Sequence, residues 1–196
     1  MSVKKPARQL KLTDPRALRA VAHPLRLALV GLLRREGPLT ATQAAERLGE
    51  VPAACSFHLR QLAKYGLVEE AGGGHGRERP WQATAMFTSW PSAAESPELA
   101  AASELLSTVI AERYVEHLFK WLETRAEEPR EWQERQMFSD FALYLSSAEL
   151  EELDHAIQEL FEPYLARTAN ASLRPPDARL VMLIALGFPL PDHRVQ

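Results

Sequence analysis

Between Pro52 and Tyr65 two kinds of side chain recur at helical spacing. At about 100° per residue, Cys55, Leu59, Leu62 and Gly66 fall on one side. Ala53, Ser56, Phe57, Arg60, Gln61 and Lys64 fall on the other. The second set can hydrogen-bond and ion-pair outward from a rigid rod. Arg60 and Gln61 suit the edges of bases in a DNA major groove, small Ala53 and Ser56 allow close approach, and Phe57 can lie against a thymine methyl. Lys64 suits a phosphate. The same pattern also describes a solvated amphipathic helix, and the helix taken alone leaves both readings open. His58 sits at the flank and reads as a polar group satisfying the backbone or a neighbour. Cys55 reads as a small buried core residue, with a redox switch as the lesser alternative.

A second cluster lies about ten residues on, around Gly72-Gly73-Gly74-His75-Gly76. A glycine-rich tip bearing His75, Arg77 and Arg79 can follow a phosphate backbone or enter a minor groove, adding salt-dependent affinity with little base information. An ordinary glycine hairpin loop is the plain alternative. The run lacks the Gly-Lys-Ser/Thr that a phosphate-binding P-loop requires. The leading basic residues Lys4, Lys5, Arg8 and Lys11 read as a disordered arm, touching phosphates or merely solvated.

These groups need elements to hold them, and the helix punctuation is dense. Asp14-Pro15 is an N-cap followed by proline at the first helical position, predicting a helix to about Val21. His23-Pro24 stops it and opens another, with Leu25, Leu29, Leu32 and Leu33 on its apolar face and Gly37-Pro38 closing it. Thr40 and Gln43 have capping-box spacing before a short helix ending at Leu48-Gly49. Pro52 then opens the fourth helix. Leu67–Glu70 and Arg79–Thr84 read as strands flanking the glycine loop. Four helices and a hairpin, with the three-residue turn Gly49-Glu50-Val51 between the third and fourth helices, is the winged helix-turn-helix order.

In that order, Ala22-His23-Pro24-Leu25-Arg26, Thr40 to Gly49, Ser56-Phe57-His58-Leu59-Arg60-Gln61-Leu62 and Gly66-Leu67-Val68 resemble the ArsR-type winged-helix transcriptional regulators over about Asp14 to Ala85. The resemblance implies a homodimer reading an inverted-repeat DNA operator, with the fourth helix in the major groove and the hairpin as a wing. It places Ser56, Phe57, His58, Arg60 and Gln61 on the recognition helix and Arg77 and Arg79 on the wing. It also implies repression relieved by a ligand. Metal-sensing relatives carry paired cysteines near the third helix, or paired Asp/His and His/Glu groups on a long dimer helix. Here Cys55 is the single cysteine and the long helix offers only Glu112, Glu116 and His117 at other spacing, so no metal and no cofactor is expected.

Charge divides the chain in the same sense. Residues 1–90 carry 14 Lys plus Arg and 7 Asp plus Glu, whereas residues 91–196 carry 9 and 19. A basic half suits a polyanion. The boundary predicts a DNA-binding domain over 1–90 and a dimerisation and possible effector domain over 91–196. After Ser96-Pro97 a long helix to about Glu127 carries apolar residues on more than one stripe, as a helix covered by a partner subunit would. Glu131–Met137 reads as a short helix, Phe138–Leu145 as a strand, Ser146–Glu149 as a second capping box, and Leu180–Phe188 as a buried strand, a buried helix being the alternative. The aromatics of this half, among them Trp121, Trp132, Phe141, Tyr144 and Phe161, either build a core or line a cavity for a small hydrophobic effector.

The expected fold is therefore mainly α (α+β): a winged helix-turn-helix domain, a long dimerisation helix and a small helix-plus-strand C-terminal domain. No apolar run approaches the roughly 20 residues that span a bilayer, and the basic N-terminus leads into no apolar signal segment. A cytoplasmic protein is expected. No nucleophile motif, carboxylate pair or metal pair points to an enzyme. The rival is a protein-interaction module that uses a winged helix without specific DNA binding.

Overall fold

Caps and turns decide where each helix begins. A computed structural model describes residues 7–72, 79–94, 96–135 and 137–190. The chain divides into two compact units, residues 1–121 and 122–196.

In the first unit, strand β1 (Ala7–Lys11) precedes helix α1 (Pro15–Val21), where the Asp14 carboxylate accepts from the Arg16 amide at 2.8 Å. Helix α2 (Pro24–Glu36) opens under His23, whose Nδ1 accepts from the Leu25 amide at 3.2 Å. Helix α3 (Ala41–Leu48) starts with a full capping box: Thr40 N–H donates to Gln43 Oε1 at 2.8 Å and Gln43 N–H to Thr40 Oγ1 at 3.2 Å. Gly49 ends it at φ 68°, a left-handed conformation that bends the chain into helix α4 (Pro52–Lys64).

Strands β2 (Val68–Glu70) and β3 (Trp81–Ala83) pair antiparallel, Val68 opposite Ala83 and Glu70 opposite Trp81. Leu39 and Trp81 exchange both backbone hydrogen bonds, at 3.0 and 2.8 Å, which ties the chain just before α3 to the hairpin. Strand β4 (Ala85–Ser89) follows, and helix α5 (Pro97–Thr124) completes the series. Leu18, Leu29, Leu59, Leu62 and Leu106 are fully buried, so α1, α2, α4 and the start of α5 share one apolar core. Burying each leucine contributes about 1.5–3 kcal/mol before conformational entropy is counted.

The basic arm requires correction. Ala7–Lys11 is a strand running parallel to β4, Leu10 opposite Thr88 and Lys11 opposite Ser89. Leu10 packs on the core and Leu12 is buried, so this apolar pair anchors the segment while Lys11 stays exposed. Lys4 and Lys5 lie outside the described residues.

In the second unit, helix α6 (Arg130–Glu134) is short, and helix α7 (Ser147–Ala169) opens with the expected capping box between Ser146 and Glu149. The two expected strands do not form. Residues 138–145 and 180–188 pair with no strand among the described residues, and Leu180 to Phe188 expose 42–75% of their large apolar side chains. Apolar runs of this length are strands only where a neighbouring strand satisfies their backbone groups. Here the run lies instead beside α7, where a Cβ placed on Gly187 would stand 3.0 Å from Leu150 Cδ1. The fold is mainly α, a winged helix-turn-helix followed by a long helix and a helical C-terminal unit.

Candidate nucleic-acid interface

Helix α4 presents its two faces as its periodicity requires. Cys55, Leu59 and Leu62 are buried, with no exposure above 0%. Ala53, Phe57, Arg60 and Lys64 are exposed, and Ser56 and Gln61 are half-buried beside them. Phe57 leaves 50% of its surface in solvent. Residues 52–64 contain no Asp or Glu, so the outward face carries the charges of Arg60 and Lys64 unopposed within the helix.

The polar groups of this face are held loosely by one another. Arg60 Nη1 donates to Ser56 Oγ at 2.7 Å, one helical turn back, and Lys64 Nζ donates to Gln61 Oε1 at 3.4 Å. Exposed bonds of this kind exchange readily with other acceptors, so the guanidinium is aligned along the helix and remains available. On the hairpin, Arg79 Nη1 lies 3.2 Å from Glu70 Oε1 in an exposed ion pair. The expected wing residue Arg77 and its neighbour His75 lie outside the described residues.

His58 stands apart from this group. It is half-buried between α4 and the start of α2, its ring 4.6 Å from that of His23 and 5.2 Å, edge-on, from that of Phe57. Its Nδ1 is buried without a hydrogen-bond partner, as is Nε of Arg26 nearby. Burial lowers the His58 pKa below the ordinary histidine value, and His23 and then Arg26 lower it further against a small opposing pull from Glu50. His58 thus joins α4 to the residue that caps α2. Burial, followed by the nearby Glu50 charge, raises the Cys55 thiol, as in an inert core cysteine.

The five candidate effector aromatics are divided between the two units. Trp121 belongs to the first unit, and the other four to the second. Phe141 and Tyr144 stand on an irregular stretch with 83% and 107% of their surfaces exposed, so neither lines an enclosed cavity. Trp132 and Phe161 are half-buried, and the Arg179 guanidinium lies 5.4 Å from the Trp132 ring centroid.

A site that periodicity did not mark lies elsewhere in the first unit. A cleft of about 400 Å³ opens between α2, the end of α3 and the middle of α5. Arg35, Arg113 and His117 line it. The one local clue was Gly31, a glycine in mid-helix where alanine would be favoured by about 1 kcal/mol. Among the described residues, no group of three His, Cys, Asp or Glu is placed to hold a metal ion, and no helix is long and apolar enough to cross a membrane.

A family model for a helix-turn-helix domain matches residues 21–71, the span from the end of α1 through α2, α3, α4 and β2. No curated protein sequence matches the chain. The chain therefore carries a helix-turn-helix domain, with α3 and α4 as its helix pair.

Proposed function

We propose that this protein is a sequence-specific double-stranded-DNA-binding transcriptional regulator of ArsR type. It acts as a homodimer on an inverted-repeat operator, with repression as its default action and the cytoplasm as its location. The observation that carries this reading is the outward face of α4. Ala53, Ser56, Phe57, Arg60, Gln61 and Lys64 share it, without an acidic residue in the helix, on the second helix of a helix-turn-helix. Arg60 and Gln61 read base edges, Lys64 and Arg79 hold phosphates, and Ala53 and Ser56 set how closely the helix enters the groove. No catalytic role is proposed.

Dimerisation is supported by α5. Leu105, Val115 and Phe119 are 46%, 51% and 60% exposed and point the same way from a helix whose opposite side is already in the core. Two copies joined there would present two α4 helices, and half-sites one helical turn, about 34 Å, apart are expected.

Fluorescence anisotropy against duplexes tiling the gene's own upstream region tests the reading. Preference for one inverted-repeat segment by about a hundredfold over an unrelated duplex is the expected result. Equal, salt-erased binding to every duplex would leave only a polyanion patch and favour a protein-interaction module.

A further inference from the structure

We propose that the cleft between α2 and α5 is a binding site for a small apolar carboxylate, with Arg113 as its charge partner. On α5, Val109, Arg113 and His117 follow one another at four-residue steps, so a single stripe faces the cleft. Pro24, Leu25 and Ala28 of α2 face them, with Leu48 from the end of α3. The cleft encloses about 400 Å³ and stands half open to solvent.

The distribution of charge selects the ligand. Glu50, Glu112 and Glu116 also line the cleft, and all three are exposed. Arg35, Arg113 and His117 are half-buried. Arg35 and Arg113 converge over Gly31: their Nη1 and Nη2 atoms lie 3.1 and 3.6 Å from where a Cβ on that glycine would be. Arg113 takes part in no ion pair among the described residues. Burial lowers its pKa and the neighbouring Arg35 charge lowers it further, against smaller opposing pulls from Tyr114 and Glu116. His117 Nε2 is buried and has no hydrogen-bond partner. The Arg113 guanidinium is thus partly stripped of water without an ion-pair partner in return.

A carboxylate satisfies the Arg113 guanidinium, which binds it through two parallel N–H donors. The apolar side chains facing Arg113 then take an aliphatic or aromatic body, so neutral or cationic molecules of the same shape lack the main anchor. Leu48 and Glu50 belong to the helix-turn-helix, which places the ligand against the turn that aims α4. That last consequence rests on the regulator reading, whereas the binding itself does not.

The test uses the full chain without DNA. Hexanoate and benzoate are titrated in thermal-unfolding experiments, with hexanol, benzyl alcohol and hexylamine as shape controls and sodium chloride matching ionic strength. The carboxylates raise Tm with increasing concentration and the controls do not. Arg113→Gln weakens carboxylate binding about tenfold or more, yet leaves the Tm of the free protein unchanged or higher because it removes an unpaired charge. Ala28→Leu, which fills the apolar side without touching a charge, also blocks binding. Equal responses to carboxylates and controls, or full binding by Arg113→Gln, would overturn the proposal. So would a large fall in the Tm of free Arg113→Gln, because it would show that the guanidinium already has its partner. Carboxylate binding by a protein with no preferred duplex would sink the regulator reading and leave the cleft assignment standing.

Discussion

The His23 ring lies 4.6 Å from the His58 ring, joining the residue that caps α2 to the helix that presents the candidate reading face. Arg26 on α2, Glu50 in the turn and the two histidines are the charged or titratable groups that act on this pair. Desolvation, then Arg26, lowers the pKa of His23; desolvation, then His23 and Arg26, lowers that of His58. Protonation of His23 Nδ1 would also replace the acceptor of the Leu25 amide with a donor.

Acid should therefore loosen the helix-turn-helix from behind. A folded-state pKa below the unfolded one means that the unfolded chain binds protons first as pH falls. The stability linked to neutral histidine is complete above the unfolded value of about 6.5 and is lost as pH drops through the folded value. His117, whose pKa is also lowered by burial and then by Arg113, adds in the same direction. Tm should fall between about pH 7.5 and about pH 5.5, and His58→Phe, which keeps a stacking ring, should flatten that dependence. An unchanged slope in the variant would remove the pair from the account.

Arg34 should be a structural residue of unusual weight. Its Nε donates to the Ala85 carbonyl at 2.9 Å and its Nη2 to Thr88 Oγ1 at 2.6 Å, tying α2 to β4. Burial alone brings its pKa down to about 10, so it stays charged at neutral pH. Arg34→Met keeps most of the stem but leaves both acceptors without this donor, at an expected cost of about 1–3 kcal/mol in urea unfolding. Arg34→Lys should recover only part of it, because one ammonium cannot reproduce the fork. A methionine variant as stable as the parent would contradict this.

Much of this framework is legible in the sequence. Asp14-Pro15, His23-Pro24, the Thr40–Gln43 box and Pro52 are local signals, and each marks a helix start by chemistry that acts within three residues. The faces of α4 follow from the helical period. Long-range facts were hidden. The pairing of Ala7–Lys11 with Ala85–Ser89 depends on a partner almost eighty residues away, and its basic residues suggested an arm instead. Phe138–Leu145 and Leu180–Phe188 are apolar without being paired, which composition does not reveal. The flanking place of His58 on α4 is legible from the helical period, but its contact with the His23 ring is not. The convergence of Arg35 and Arg113 over Gly31 is a tertiary event with only that glycine as a local trace.

Base reading and phosphate holding should separate by mutation. Arg60→Ala is expected to cost about 1–3 kcal/mol on the preferred duplex and little on unrelated ones, relaxing specificity. Lys64→Ala should weaken all duplexes alike and reduce the slope of log affinity against log salt by about one. Arg79 starts from an ion pair with Glu70, so a phosphate must displace that carboxylate. Glu70→Gln should accordingly tighten binding to every sequence. Anisotropy titrations at several salt concentrations check all three, and a uniform loss for Arg60→Ala would move the reading face elsewhere.

The exposed stripe of α5 gives the last prediction. Leu105, Val115 and Phe119 fall within an arc of roughly 80° at about 100° per residue, while Ala102 and Leu106 on another side are buried in the first unit's core. These apolar side chains share their arc with Thr108 and Glu112, and covering the three of them stabilises the helix, a second copy offering the same face in return. The parent protein should sediment as a dimer, and Val115→Glu with Phe119→Glu should sediment as a monomer. Because both side chains are exposed, the variant should keep its helical circular dichroism. Operator affinity should fall steeply, since a single α4 reads only one half-site. A monomeric parent that still prefers an inverted repeat would place its second reading helix outside this stripe and require a different route to two-fold recognition.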